Sequence, residues 1–266
     1  RVLRNTIYQR LVLTMNKLIK AEFYRSIRSG IFLPIYALMS LFTIYMTFLT
    51  YRDSSLVDGD GYELFAFLAS YSETGVMVLG EVIGIIISLM IGKLYSDRFH
   101  YYEIMDGANT HHIILSKLIV YNIYSLVIVV VPVAVSYTAV AVNYGTGGIE
   151  KPWLPILLLT IIIMNATSLV LLISMIIRRA IIGAVISYCY AMIIIMLHMF
   201  YDAEITGVRN KFAGFLFDTS PYIQITKLGY DYTSAKYIAM VAGSFVVTVS
   251  LLYTLTYISH RTKNFR

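Results

Sequence analysis

Of the 266 residues, 58% are hydrophobic and only 14% are charged, too few to cover a soluble domain, where about a quarter of residues carry charge. Together with a mean hydropathy of +0.73, this points to an integral membrane protein. The single cysteine, Cys189, excludes an internal disulfide framework and any multi-cysteine metal site, and its apolar surroundings suit an inert thiol.

Residues 1–14 read as a leader or upstream extension, because "MNKLIKAEF" from Met15 resembles a natural start. Residues 15–29 are expected to form an interfacial elbow helix. Within them Ile19, Phe23 and Ile27 recur at i, i+4 and i+8 and so share one helical face, with Lys17, Lys20, Arg25 and Arg28 turned mostly the other way. Gly30 then turns the chain into the bilayer. The apolar run that follows has no small-residue cleavage site after it and is expected to remain as a span.

A helix needs about 20 apolar residues to cross the hydrocarbon layer. Six stretches meet this, at about 31–50, 74–95, 117–142, 154–177, 180–201 and 235–258. They are continuous rather than alternating, which disfavours β-barrel strands. The expected fold is therefore all-α, six transmembrane helices preceded by the interfacial helix, with residues 30–260 as one transmembrane domain and 261–266 as a tail. Between the spans lie an acidic loop (51–73), a polar loop (96–116), a Gly-rich turn (143–153), a tight hinge at Arg178-Arg179 and a longer polar-aromatic loop (202–234).

Alternating these segments across a membrane puts fifteen Lys/Arg on the side of both termini and six on the other. An excess of Lys/Arg near span ends marks the cytoplasm, so both termini and the 96–116 loop are expected there. The net charge of +6 is thereby explained by topology and contact with anionic lipid, not by nucleic acid.

Few residues carry obvious chemistry. "GIIISLMIGKL" at 84–94 lacks the glycine spacing and the Ser/Thr of a phosphate-binding loop and lies within a span, so the chain is not expected to hydrolyse ATP alone. His111 and His112, adjacent on a helix, diverge by about 100° and suit a polar contact surface better than a shared metal ion. Glu81 is the one acid inside a span. It either lines a substrate route or ties two helices, or lies close enough to the interface to be hydrated. Asn165, with Glu81, is a candidate for the substrate route, although Asn165 and Asn122 also suit interhelical hydrogen bonds. His198 falls near the outer end of its span, and Pro132 is expected to kink the third one. The connector "GVRNKFAGFLFDTSPYIQITKLGY", 207–230, is too apolar for open solvent and too short to cross and return. A pair of short helices dipping into the outer leaflet fits it.

These parts together resemble a permease of the type-2 class of ABC exporters, over roughly residues 15–260. The resemblance rests on the start "MNKLIKAEFYRSIRSG", the six spans, the polar loop between the second and third, and the aromatic loop between the fifth and sixth. Its most specific piece is "YYEIMDGANTHHIILSKLIV", with an acid and glycine followed by a polar residue and then a helix opening with Lys117. In such permeases this loop contains a coupling helix that docks on an ATPase. The resemblance so implies an ATPase-coupling role for Glu103, Ile104, Met105, Asp106, Gly107 and His111. "NTHH" at 109–112 departs from the usual Pro-Ser/Thr-Arg pattern. The resemblance also implies two ABC ATPase subunits that hold ATP and Mg, with no cofactor in this chain. It implies a second permease subunit, identical or related, a bacterial plasma membrane, and an amphipathic or hydrophobic cargo such as a peptide, lipid or drug. Small permeases of antimicrobial-peptide exporters are the nearest analogy. The competing readings are an ion-coupled carrier using Glu81 and a membrane anchor or sensor that moves nothing.

Overall fold

The computed structural model describes residues 2–28, 76–97, 103–105, 108–144, 151–202 and 211–263, with scattered positions from 30 to 49. Every regular element among them is helical. In chain order they are α1 (Val2–Arg28), α2 (Val76–Ser96), α3 (Thr110–Ser125), a π turn (Leu126–Val130), α4 (Val131–Tyr144), α5 (Leu154–Ile177), α6 (Ala180–Asp202), α7 (Lys211–Asp218), α8 (Pro221–Asp231) and α9 (Ala235–Lys263). The expected first span, 31–50, lies largely outside the described residues, as do the loops 51–73 and 145–150.

Among the described residues, four helical stretches are long and apolar enough to cross a membrane: Thr110–Val142, Leu154–Ile177, Ala180–His198 and Ala235–Thr262. α2 covers the expected second span. α5 is the central helix. Leu158, Leu159, Ile162, Ile163, Leu171 and Leu172 bury side chains around its full circumference, as a helix apolar on all faces must. It packs against α2, α3, α8 and α9. α6 and α9 lie outside it, and their exposed side chains, such as Val185, Ile193, Val247 and Leu251, are also apolar. A surface of that kind is stable only against lipid or another apolar partner.

A seam of small residues draws the helices close. A side chain at Gly92 of α2 would collide with the backbone of Ala180 in α6. One turn earlier, Ser88 meets Ser174 of α5 at 2.8 Å and Ser187 of α6 at 3.2 Å. Small residues let backbones approach, and each hydroxyl can also bond within its own helix. The hinge between α5 and α6 is held by Arg178, whose φ of 62° is left-handed. Its N–H donates to the Ser174 carbonyl, its guanidinium reaches the Ser259 carbonyl at 3.4 Å, and it lies 5.6 Å over the Tyr95 ring.

Two expected boundaries are corrected in detail. The elbow helix is not a separate 15–29 segment: α1 runs unbroken from Val2, because nothing between Leu13 and Lys17 breaks a helix. Among its described side chains, Glu22 and Ser26 are buried and Ile27 is 53% exposed. The third span begins at Thr110 rather than 117 and runs through the π turn to Tyr144. Pro132, expected to kink it, has no N–H to donate to Ile128. The π turn ends just before it, with the Val131 N–H reaching back five residues to the Leu126 carbonyl.

Candidate functional site: a buried ion cluster at the charged end

The C-terminal ends of α2 and α9, the hinge between α5 and α6, the start of α3 and the second half of α1 meet at one end of the bundle. Tyr95 of α2 bonds His260 of α9 at 2.8 Å. His111 of α3 bonds the Tyr253 hydroxyl at 2.9 Å and stacks on Tyr257 at 3.9 Å between ring centroids. This is the end where the sequence gathers its Lys and Arg.

At its centre lie two acids and two bases. Lys117 of α3, 1% exposed, donates to Glu22 of α1 and to both carboxylate oxygens of Glu103, at 3.3 and 3.4 Å. Arg25 of α1 donates to Glu103 at 2.9 Å and to Glu22 at 3.1 Å. Each carboxylate therefore meets both cations, and the cluster carries no net charge. Burial works against the Arg25 charge, but the Glu22 and Glu103 carboxylates outweigh it, so its guanidinium is held above its ordinary value. Taking four charges out of water is costly, and mutual pairing is what makes it tolerable.

The cluster ties three segments far apart in sequence. α1 gives Glu22 and Arg25, the turn before α3 gives Glu103, and α3 gives Lys117. Neutral contacts reinforce the joint: Phe23 and Tyr124 meet edge to face at 5.2 Å, and the Tyr124 hydroxyl donates to the Phe23 carbonyl. The turn itself is closed by the Ala108 N–H on the Glu103 carbonyl at 3.1 Å. Asn109 then caps α3, its side-chain oxygen accepting the His111 N–H. Asn is among the best residues for that position, which gives "NTHH" a local physical reason.

The residues singled out in the sequence fall in different places. Glu103 is turned inward into the cluster, Ile104 is half-buried, and Met105 is 66% exposed. Asp106 and Gly107 lie outside the described residues. His111 is held against α9 rather than standing clear. Glu81 is within α2, and its side chain lies outside the described residues. Asn165 does not face an open route. It is fully buried in α5, where its amide donates to Ser244 of α9 at 3.4 Å, and Gln224 of α8 donates to the same hydroxyl at 2.8 Å. The amide oxygens of Asn165 and Gln224 find no donor among the described residues. Asn122, as expected, joins helices: it donates to Ser168 at 3.0 Å. Glu22 was not singled out, although it is the one acid in a basic helix and lies three residues before Arg25. Its main partner is 95 residues away, so sequence spacing could not reveal the cluster.

Among the described residues, four long apolar helices packed with buried polar joints define a helical membrane protein. No family model, no curated protein and no solved structure matches the chain.

Proposed function

We propose that the chain is the permease subunit of an ATP-driven ABC exporter and moves an amphipathic or hydrophobic substrate out of the cytoplasm or membrane. In this reading two such subunits, identical or related, face each other, and separate ATPase chains bind ATP and Mg beneath the charged end. Six spans and cytoplasmic termini belong to the same reading.

The observation that carries it is the tether on the 103–105 turn. Glu103 anchors the turn to α1 and α3 through buried charge pairs, and Met105 two residues later projects outward. An external protein pressing on that turn would push on a rigid unit rather than a free loop. The displacement would pass as a tilt to α3, whose helix continues through the membrane. The partner could bias one orientation only by binding it more tightly than the other. In this reading Met105 is part of the contact surface and Glu103 holds the turn in place.

The short helices α7 and α8 support the same reading. Ser244 lies nine residues into α9, about 13 Å from its first turn, and Gln224 of α8 reaches it. Phe215 and Leu216 of α7 are exposed. Both facts suit a helix pair that dips into the outer leaflet.

The test is Asp106→Arg in cells carrying the ATPase. Export should be abolished while expression and membrane insertion stay unchanged, and co-purification of the ATPase with the permease should fall. Normal export by this variant would sink the proposal.

A further inference from the structure

A cavity of about 510 Å³ opens between the second half of α1 and the last turns of α2, next to the ion cluster. That volume is in the range of sites for small organic ligands. Its walls are graded. Leu89, Met90 and Leu94 of α2 and Ala21 of α1 form an apolar part. Lys93 of α2, Asp97 just past its end and Arg28 of α1 form a charged part. Lys93 lies about one turn and Asp97 about two turns beyond Leu89, so the charged part is nearer the charged end of the bundle and the apolar part is farther from it.

The charges are not equivalent. Arg25, also at the wall, is committed to Glu22 and Glu103. No ion pair holds Lys93 or Arg28 among the described residues. Arg28 is nonetheless positioned, because it bonds the Tyr24 hydroxyl and lies 5.3 Å over the Tyr24 ring. With Arg25 neutralised, two cations face the single carboxylate of Asp97. Beside the mouth, α1 exposes Tyr24, Ile27, Lys17 and Lys20, the mixture of aromatic, aliphatic and basic side chains that suits a lipid interface.

We propose that this cavity binds one anionic glycerophospholipid, its phosphate between Arg28 and Lys93 and the upper part of an acyl chain against Leu89, Met90 and Leu94. Basic pockets at the ends of membrane helices select lipid headgroups in this way. A soluble anion would use the cations but gain nothing from the apolar wall, and a zwitterionic lipid would bring its own cation against Arg28 and Lys93. The occupant would be a wedge between α1 and α2 and would bear directly on the helix that carries Glu22 and Arg25.

The proposal is tested by native mass spectrometry of the detergent-purified full chain offered phosphatidylglycerol or phosphatidylcholine. One phosphatidylglycerol should be retained per chain in preference to phosphatidylcholine. Arg28→Ala and Lys93→Ala should each weaken it roughly fivefold, the effect of losing one cation near an anionic headgroup. Met90→Trp, which fills the cavity and leaves both cations, should also abolish retention. Arg261→Ala, an exposed cation of α9 that is not at the cavity wall, should change it little. Three results would overturn the proposal: equal retention of the two lipids, displacement of phosphatidylglycerol by millimolar inorganic phosphate, or loss in Arg261→Ala as large as in Arg28→Ala. Arg28 and Lys93 are exposed, so their removal should leave a monodisperse protein on gel filtration.

Discussion

The two polar joints of the bundle solve the same problem with different chemistry. At the charged end, Glu22, Arg25, Glu103 and Lys117 join α1, α3 and the turn between α2 and α3 with full charges. Midway along α5 and α9, Asn165, Gln224 and Ser244 join α5, α8 and α9 with neutral groups. Water is close to the first joint, so its charges can be paid for by mutual pairing and partial hydration. At the depth of the second, an unpaired charge would cost several kcal/mol, and amides and a hydroxyl hold the helices at lower risk. The difference teaches where stiffness resides. Breaking one member of the charged joint strands its partners, while breaking one member of the neutral joint leaves polar groups that can find substitutes.

The largest effect is expected at the charged joint. Lys117→Met leaves two buried carboxylates facing Arg25 alone and should cost about 3–5 kcal/mol. The measurement is the unfolding midpoint in a denaturing-detergent titration. Adding Glu22→Gln to Lys117→Met should recover part of the loss, since charge balance is restored. No recovery would mean that packing of the lysine stem, not charge, carries the joint.

The small-residue seam between α2 and α6 ranks next. Gly92→Val forces side-chain atoms into the Ala180 backbone and should cost about 1–3 kcal/mol by overpacking. The same titration checks it, with Gly243→Val, where a side chain meets open space, as a control for the helical substitution. Similar losses in both would remove steric contact as the cause.

The neutral joint should give the smallest effect. Ser244→Ala takes away the acceptor shared by Asn165 and Gln224, and hydrogen bonds between membrane helices are worth about 0.6 kcal/mol on average and at most about 2. A shift of about 1 kcal/mol is expected. A loss as large as that of Lys117→Met would erase the contrast between the two joints.

Part of this architecture was legible in the sequence. The apolar runs 154–177 and 180–201 match α5 and α6 almost residue for residue, because a continuous apolar stretch of that length has only one stable form in a membrane. The hinge at Arg178-Arg179 and the helix pair in 202–234 were readable for similar local reasons: two charges interrupt an apolar run, and Ser220-Pro221 starts a new helix. The unbroken length of α1 was not, because its first half was set aside as a leader. Asn165 looked like a candidate for a substrate route, since a polar residue in a span has two uses and only its neighbours distinguish them.

The sequence by itself determined the class of the protein and the charge asymmetry of its ends. Both follow from the transfer of side chains between water and lipid, which each residue does largely on its own. The tertiary structure decided which charges meet. Glu22 is one acid in a basic helix, Glu103 one of three acids in a polar loop, and Lys117 one base at the head of an apolar run. Only when α1 lies against α3 do they become a single neutral unit, because ion pairing acts over a few ångströms of space and is indifferent to the 95 residues of chain between Glu22 and Lys117.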